Sequence, residues 1–270
     1  MRRFFVDEIK AVRGTMAIQG AEARHIFNVL RMKRGDPFIL FDGNGQRFQA
    51  RITSAGRKEV QVALERSLEP PPQSPVDITL CQALLKSRGM DDIIRRTSEL
   101  GVNRIIPFTS QRTVVRMDSK KASTRVQHWR TIARDAAKQS DRGTPAEIAS
   151  VTSLGNMLAG LADEDAGKVV LWEQEQAQDL KERLRSGTPV GGKCIGIVGP
   201  EGGFSEEEIR AALDTGFQTV SMGNRILRAG TAALTLVGII QYEWGDLGLA
   251  HKDPGPEGPA LVIPRGDLLC

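Results

Sequence analysis

Apolar and polar positions alternate with a period of two in the first part of the chain, which predicts β-strands. In "PFILFDGNGQRFQARI", residues 37–52, two apolar runs flank Asp42-Gly43-Asn44-Gly45, a sequence typical of a β-hairpin turn. A further strand is predicted for "EVQVALERSLE", residues 59–69, and one short helix for Glu22 to Met32. Residues 1–69 are therefore predicted to form a small β-rich module.

After residue 75 the pattern changes, and apolar runs alternate with segments of helical periodicity. The predicted strands are "DITLCQALL", "RIIPFTS", "KVVLWE", "CIGIVG" and "TVSMG", and the predicted helices are "GMDDIIRRTSELG" and residues 125–140, 206–215 and 229–244. This alternation predicts an α/β domain with a mainly parallel sheet covered by helices. The proline-rich connector "EPPPQSP" separates the two parts, so we predict domains at 1–72 and 73–250, followed by a Pro/Gly-rich C-terminal tail at 251–270.

The composition excludes several classes of protein. No stretch approaches the roughly 20 apolar residues of a membrane helix, and "MRRFFVDEIK" lacks the apolar run of a secretory signal, so we expect a cytoplasmic protein. Cys81, Cys194 and Cys270 are widely separated and form no C-x-x-C pair. The histidines are equally scattered, so the sequence predicts neither a disulfide framework nor a metal site.

Positive charge is concentrated in the N-terminal half of the chain. Residues 1–75 carry 13 Lys and Arg against 8 Asp and Glu, and residues 86–142 carry 14 against 6, whereas residues 143–270 carry 10 against 18. This asymmetry favours a polyanion that binds one part of the molecule. The alternative at this point is that the arginines simply solvate helix faces.

The first candidate site is "GIVGPEGGFSEEEIR", residues 196–210, which places a glycine-rich loop between a buried strand and a helix. Gly202 and Gly203 allow close approach of a ligand, and Ser205 is predicted to cap the helix with Glu208 as its capping-box partner. Ligands of α/β proteins bind at such loops. The glutamates disfavour a polyphosphate, and an ordinary strand-to-helix turn is the alternative interpretation.

The second candidate site, "SMGNRILRAGTAAL", residues 221–234, follows one helix and one strand later. Gly223 ends the predicted strand in a turn, Arg225 and Arg228 place two cations beside it, and small residues open the final helix. Solvated charges and helix propensity alone would also explain these residues.

Together, "IVGPEGGFSEEEI" and "MGNRILRAGTAALTLVGIIQYEWGDLG" resemble the signature motifs of the ribosomal RNA small subunit methyltransferase E (RsmE) family, of the SPOUT class of methyltransferases. Other segments look like the family in the same order: "RRFFV", "HIFNVLRMKRGDPFILFDGNG", "LLKSRGMDDIIRRTSELGVNRIIPFTSQRTVVR" and "AAKQSDR". The resemblance therefore extends over nearly the whole chain.

The resemblance implies an N-terminal PUA-like β-barrel, a trefoil-knotted α/β methyltransferase domain and an obligate homodimer with the cofactor held at the knot. Because chains generally do not knot, periodicity alone does not predict such a threading. The final helix suits a subunit interface, since Leu234, Val237, Gly238 and Gln241 can share one face. The alternative is that this face covers the helix's own sheet.

The resemblance also implies methylation of uridine N3 in 16S ribosomal RNA, as naked RNA or in the assembled small subunit, with S-adenosylmethionine as cofactor and no metal. The enzyme must then mainly align donor and acceptor and help to remove the N3 proton. Arg225 and Arg228 are candidates for stabilising the N3 anion or holding an RNA phosphate, and Glu201 for a base or a structural carboxylate. The residues assigned to the cofactor are Leu171, Glu173, Val198, Gly199, Gly202, Gly203, Met222, Gly223, Ile226 and Leu227.

Two positions depart from the family pattern. The family usually has R-x-E-T-A where this chain has "RAGTA", so the acidic side chain is missing at Gly230. Lys138 stands where an acid is common. The missing acid keeps open the alternative of a catalytically silent RNA-binding ribosome assembly factor. A methyltransferase of the same fold that acts on another RNA position is a second alternative to the uridine N3 enzyme.

RNA contacts are expected on the positive N-terminal half, where they should position the substrate through its phosphates. The candidates are Arg2, Arg3, His25, Arg31, Lys33, Arg34, Lys86, Arg88, Arg112, Arg116 and Arg134. Phe4 and Phe5 could stack on a base, but we expect both in the barrel core.

Overall fold

The structure is a computed structural model that describes residues 1–86, 89–115 and 117–249. These residues form two compact units: Met1–Gln73 with Asp141–Thr144, and Ser74–Ser140 with the chain that follows Thr144. The first unit is therefore built from two separate stretches of the chain. The predicted tail and the predicted RNA contacts Arg88 and Arg116 lie outside the described residues.

The first unit is a five-stranded sheet in the order β1-β3-β4-β5-β2. Its strands are β1 (Arg3–Val6), β2 (Thr15–Gln19), β3 (Pro37–Asp42), β4 (Arg47–Ala55) and β5 (Glu59–Ser67). Helix α1 (Gly20–Arg24) contacts both edge strands, β1 and β2. The predicted hairpin is confirmed: the buried Asp42 carboxylate accepts hydrogen bonds from the backbone N–H groups of Asn44 and Gln46, each at 2.9 Å.

The short helix differs from its prediction over Glu22 to Met32. It begins at Gly20 and continues from α1 into one π-helical turn, His25–Val29. Arg31 has a φ of 50°, which lies outside the helical region, so the helix cannot continue to Met32. Phe4 and Phe5 are 1% and 8% exposed, which confirms the prediction that both belong to the core.

The second unit is built around a parallel sheet in the order β12-β10-β11-β6-β7-β8, with β9 also paired to β7. Its strands are β6 (Asp77–Ala83), β7 (Arg104–Thr109), β8 (Glu147–Ile148), β9 (Thr152–Ser153), β10 (Gly167–Leu171), β11 (Lys193–Val198) and β12 (Gln218–Val220). Every pairing between these strands is parallel, which confirms the predicted sheet type.

Helices cover both faces of this sheet. One core contains side chains from α2 (Gly89–Glu99), α3 (Ser119–Ser140), α5 (Leu180–Arg185) and α7 (Ala229–Glu243), and the other from α4 (Leu154–Leu161) and α6 (Glu206–Asp214). Helix α3 begins at Ser119 instead of Arg125, and the short helices α4 and α5 were not predicted. Within the described ranges, no helix has the length and hydropathy needed to cross a membrane.

Helix α7 packs on the middle of the sheet, against β6, β11 and α2. The close approach depends on Gly196 in β11, where a Cβ would lie only 2.6 Å from Leu236 Cδ2. Gln241 fixes the other end of the helix: it accepts a hydrogen bond from Ser74 Oγ at 2.8 Å and donates one to the Gly101 carbonyl at 3.4 Å.

This packing corrects the face that was predicted for a subunit interface. Val237 and Gln241 are 0% and 1% exposed, so they cover the helix's own sheet and strand ends. Of the predicted face, only Leu234 and Gly238 are partly exposed, and the exposed Tyr242 follows them on the outward side.

The connection between β12 and α7, residues 221–228, crosses the end of the sheet. Strand β12 lies at the edge and α7 contacts β11, with β10 between these two strands. The connection therefore passes the carboxyl end of β10. The trefoil knot that the resemblance implies stays a prediction.

Candidate functional site

A cavity of about 1190 Å³ lies at the carboxyl ends of β10, β11 and β12. These strands are adjacent and parallel, so the loops that follow them meet at one edge of the sheet. The predicted cofactor and catalytic residues that line it are Leu171, Glu173, Val198, Gly199, Glu201, Gly203, Met222, Gly223, Arg225, Ile226, Leu227 and Arg228. Small-molecule sites commonly have about 300–1000 Å³, so this cavity has room for more than one small ligand.

Hydrogen bonds within the protein hold the loop after β11, residues 199–205. Ser205 Oγ accepts a bond from the Glu208 N–H at 3.3 Å, and the Glu208 carboxylate accepts one from the Ser205 N–H at 3.0 Å, which confirms the predicted capping box. The other carboxylate oxygen of Glu208 accepts a bond from the Gln111 N–H at 2.7 Å. This buried carboxylate therefore ties the 199–205 loop to the chain after β7.

The two glycines of the 199–205 loop have different roles. Gly203 lines the cavity with a φ of 69°, a left-handed backbone conformation that favours glycine. Gly202 is not part of the cavity wall, and its carbonyl accepts a hydrogen bond from the Arg112 guanidinium at 3.0 Å. The predicted cofactor contact at Gly202 thus finds no support, and Arg112, predicted to bind RNA, braces this loop.

The connection of residues 221–228, hereafter the 221–228 loop, has main-chain hydrogen bonds within the described residues only at its two ends. At its start, the Ser221 N–H donates to the Gln178 carbonyl at 3.0 Å, and the Ser221 carbonyl accepts from the Leu180 N–H at 2.9 Å. At its end, the Arg228 carbonyl accepts a bond from the Ala232 N–H at 2.8 Å. The main-chain groups of residues 222–227 form no hydrogen bond with any part of the chain that the structure describes. Residues 223–226 are exposed, so these groups are free to bind water or a ligand.

Charged side chains surround the cavity. Glu175 accepts hydrogen bonds from the Thr219 hydroxyl and from the Ala177 and Gln178 N–H groups, and these bonds, the one from Thr219 foremost, hold its pKa below the ordinary value. Glu201 Oε1 accepts a bond from the Lys86 N–H at 3.2 Å. Both carboxylates thus have structural partners.

The arginines of the 221–228 loop, unlike these carboxylates, have no structural partners among the described residues. Arg225 and Arg228 are exposed, and neither forms a hydrogen bond or an ion pair with the described residues. Ile226 between them is 89% exposed although it is apolar. The loop therefore presents two unpaired cations and one uncovered apolar side chain at the cavity.

Sequence reasoning missed the wall that α2 contributes. Asp92, Ile93 and Arg96 line the cavity, although they lie more than a hundred residues before the candidate loops. Their spacing was the available signal, because Asp92 and Arg96 are one helical turn apart and share a face.

The predicted RNA contacts on the first unit are mostly exposed. The exposed members are Arg2, His25, Arg31, Lys33 and Arg34. Arg3 differs, because its guanidinium forms an ion pair with Asp141 at 2.7 Å, and Arg47 reaches the same carboxylate at 2.8 Å. In the second unit Lys86 and Arg134 are exposed.

Other polar candidates are accounted for by local structure. Lys138 forms an ion pair with Asp135 at 2.8 Å. Cys81 and Cys194 are buried free thiols, and burial raises the pKa of each. In the described ranges no group of His, Cys, Asp and Glu could hold a metal ion.

A parallel sheet with its cavity at the carboxyl edge is a ligand-binding arrangement of α/β proteins, and the family models identify the class here as RNA methyltransferases. The family model for an RNA methyltransferase domain matches residues 72–241, and the model for an RNA methyltransferase PUA domain matches residues 18–65. The chain belongs to the ribosomal RNA small subunit methyltransferase E family. It is 30% identical over 248 residues to the family member of Bacillus subtilis, an alignment that covers 90% of this chain and 97% of the relative.

Solved structures agree with this assignment. A ribosomal RNA small subunit methyltransferase E from Neisseria gonorrhoeae, bound to S-adenosyl methionine, has a TM-score of 0.84 and 32% identity, and the match covers 92% of this chain and 99% of that one. A putative methyltransferase from Legionella pneumophila, in complex with the same cofactor, has a TM-score of 0.78 and 29% identity, with 90% and 98% covered.

Proposed function

We propose that this chain transfers the methyl group of S-adenosylmethionine to N3 of a uridine in 16S ribosomal RNA. The observation that carries the proposal is the cavity at the ends of β10, β11 and β12, in which the 221–228 loop offers main-chain groups without internal partners. The names of the relatives specify small-subunit ribosomal RNA, and two structural neighbours contain S-adenosylmethionine.

The residues of the cavity fit this cofactor. The N–H and C=O groups of residues 222–227 can bind the polar edge of an adenine, and Leu171 and Val198 offer apolar contacts beneath it. Gly203 leaves space that a side chain would fill. When bound, S-adenosylmethionine supplies a methyl group already activated on a sulfonium.

The proton of uridine N3 has to leave before or during the formation of the N–CH₃ bond, while the C–S bond breaks. Arg225 and Arg228 are exposed, unpaired cations at the cavity, so they suit the role of stabilising the N3 anion while the proton passes to solvent. Glu201 suits the role of a structural carboxylate better than that of a base, because it accepts a hydrogen bond from the Lys86 N–H.

Calorimetric titration with S-adenosylmethionine, followed by mass analysis of nucleosides, tests the proposal. We expect one binding site per chain, and one methylated uridine base that disappears from the ribosomal RNA of cells without this protein. A lost methyl on a ribose 2′-oxygen would instead identify a methyltransferase for another position. Absence of binding heat would contradict the proposal.

A second candidate is the catalytically silent RNA-binding assembly factor, and one observation favours it. Gly230 lines the cavity where the family pattern has an acid, yet a Cβ there would lie 3.9 Å from Ile93 Cγ1, so packing does not demand glycine. A silent factor should bind 16S RNA but give no heat with S-adenosylmethionine. A methyltransferase should bind 16S RNA and also give binding heat with S-adenosylmethionine.

We also propose a homodimer that acts in the cytoplasm, where its RNA substrate is assembled. The outward side of α7 carries Leu234, Gly238, Ile239 and Tyr242, and Tyr242 is 67% exposed. Sedimentation should give twice the chain mass of 29.5 kDa, and Tyr242→Glu should shift the protein toward one chain. A monomer at micromolar concentration would contradict this proposal.

A further inference from the structure

We infer that Arg96 of α2 is a positioning residue of this site, where its guanidinium holds a phosphate of the RNA near the target uridine. The inference rests on the proposed function, since it takes RNA to enter the cavity. It adds a residue from outside the two candidate loops.

Helix α2 brings Arg96 to the same cavity as the 221–228 loop. Ile93 lies near the start of α7, because α2 packs on α7 and a Cβ built on Gly230 would lie 3.9 Å from Ile93 Cγ1. Arg96 follows Ile93 by three residues and so lies on the same side of the helix. Arg228 precedes Gly230 by two residues, so Arg96 and Arg228 stand on adjoining walls of one cavity.

The ion pair that Asp92 forms on α2 does not include Arg96. Asp92 has two possible partners on its own helix, Arg95 at i+3 and Arg96 at i+4, and the structure pairs it with Arg95 at 3.1 Å. Arg96 forms no side-chain hydrogen bond or ion pair with the described residues. Glu175 and Glu201, two other carboxylates of the cavity wall, already accept backbone N–H groups.

Three guanidinium groups at the cavity, those of Arg96, Arg225 and Arg228, thus have no acceptor among the residues that the structure describes. The planar guanidinium fork matches the oxygens of a phosphate, so these three groups suit the binding of an anion. All three arginines are exposed, whereas Val198 and Val220 form a buried floor. An anion at the exposed side of the cavity is better supplied by a polymer that passes it than by a small molecule in the floor.

Two sources of anion have to be distinguished, a phosphodiester of RNA and the carboxylate of S-adenosylmethionine. A third explanation is that Arg96 only stabilises the carboxyl end of α2, whose last turn contains it. The test compares Arg96→Gln with Arg95→Gln, a matched control: Arg95 is the neighbouring residue on the same helix, is paired with Asp92 and does not line the cavity.

RNA affinity is measured without cofactor at several salt concentrations, using a 16S RNA fragment. For Arg96→Gln we expect RNA affinity to fall about tenfold and the slope of log K against log salt to decrease by about one. For Arg95→Gln we expect the RNA affinity and its dependence on salt to stay close to those of the unmodified protein. Calorimetry should give the same affinity for S-adenosylmethionine in all three proteins, and methyl transfer should show a raised KM for RNA with little change in kcat.

Three results would overturn the inference. Equal RNA affinities of Arg96→Gln and Arg95→Gln would assign Arg96 to helix stability, and an S-adenosylmethionine affinity lowered alone would assign it to the cofactor. A change of chain association measured by sedimentation would assign it to an interface. If the unmodified protein transferred no methyl group, the proposed function would be contradicted. The RNA affinities of the two variants, measured without cofactor, would still decide the role of Arg96.

Discussion

The loops after β11 and β12 both line the cavity, but they differ in what satisfies the hydrogen bonds of their main chain. The 199–205 loop is held by the Ser205–Glu208 capping box, by Gln111 and by Arg112. The main chain of residues 222–227 in the 221–228 loop has no hydrogen-bond partner in the part of the chain that the structure describes. The protein thus completes one wall of the cavity by itself and leaves the other to be completed by water or a ligand.

The difference teaches which wall carries stability and which carries binding. A buried donor without an acceptor costs about 1–3 kcal/mol, so substitutions in the bonded loop should lower the free energy of unfolding. Exposed groups of the open loop are solvated when no ligand is present. Changes of exposed side chains there should have little effect on the free energy of unfolding and should alter affinity for the cofactor.

The largest effect is expected for Glu208→Ala. The substitution leaves the buried N–H of Ser205 and the part-buried N–H of Gln111 without their acceptor, so we expect the free energy of unfolding to fall by about 2 kcal/mol. Urea unfolding measures it. Glu206→Ala is the control, because Glu206 is exposed and its pair with Arg210 should contribute less than about 1 kcal/mol. Equal losses in both variants would mean that the loop is not held by Glu208.

The next largest effect is expected for glycine-to-alanine substitutions, which should lower the free energy of unfolding by different amounts in the two loops. Gly203 and Gly223 have φ values of 69° and 89°, which cost alanine about 1–2 kcal/mol. Only at Gly203 would the new Cβ also overlap a side chain, at 2.9 Å from Glu173 Oε1, whereas nothing lies within 4 Å at Gly223. Gly203→Ala should therefore destabilise the fold more than Gly223→Ala in the same unfolding assay. The reverse order would contradict the comparison.

A smaller effect is expected for Ile226→Ala. Ile226 is 89% exposed, so its truncation should change the free energy of unfolding by less than about 0.5 kcal/mol. If a bound cofactor covers this side chain, calorimetry should show affinity for S-adenosylmethionine lowered by about fivefold. Leu213→Ala is the matched control, since Leu213 is 46% exposed on α6 outside the cavity wall. Identical affinities in the two variants would remove Ile226 from the site.

The smallest effect concerns the loop after β10. Hydrogen bonds hold the pKa of Glu175 below 4.5, so its carboxylate stabilises the fold above about pH 4.5, and this contribution is lost as the pH falls through the lowered pKa. Glu175→Gln should therefore be less stable than the unmodified protein at pH 7, and the difference should shrink at pH 3. A difference that is independent of pH would show that the charge does not matter.

Local patterns were sufficient for much of the fold. The capping box depends on residues three apart, and the hairpin at Asp42 on consecutive turn residues, so both were predictable. Helix α7 was harder, because apolar residues occur on nearly every side of it, and the choice of Val237 and Gln241 for an outward face was wrong.

The sequence predicted only those parts of the site whose residues are close together along the chain. The two motifs identified the loops, but their sequences do not show that one loop forms hydrogen bonds within the protein and that the other does so only at its ends. Arg96 and Asp92 join the cavity through the packing of α2 against α7, a contact between distant segments that periodicity does not contain.

Hydrogen exchange of the backbone N–H groups at residues 222–227, with and without S-adenosylmethionine, tests the central claim most directly. The account predicts fast exchange in the free protein, because these groups have no internal acceptor, and slowing of about tenfold or more at saturating cofactor, while residues 199–205 change little. Slow exchange in the free protein, or the same rate at saturating cofactor, would contradict it.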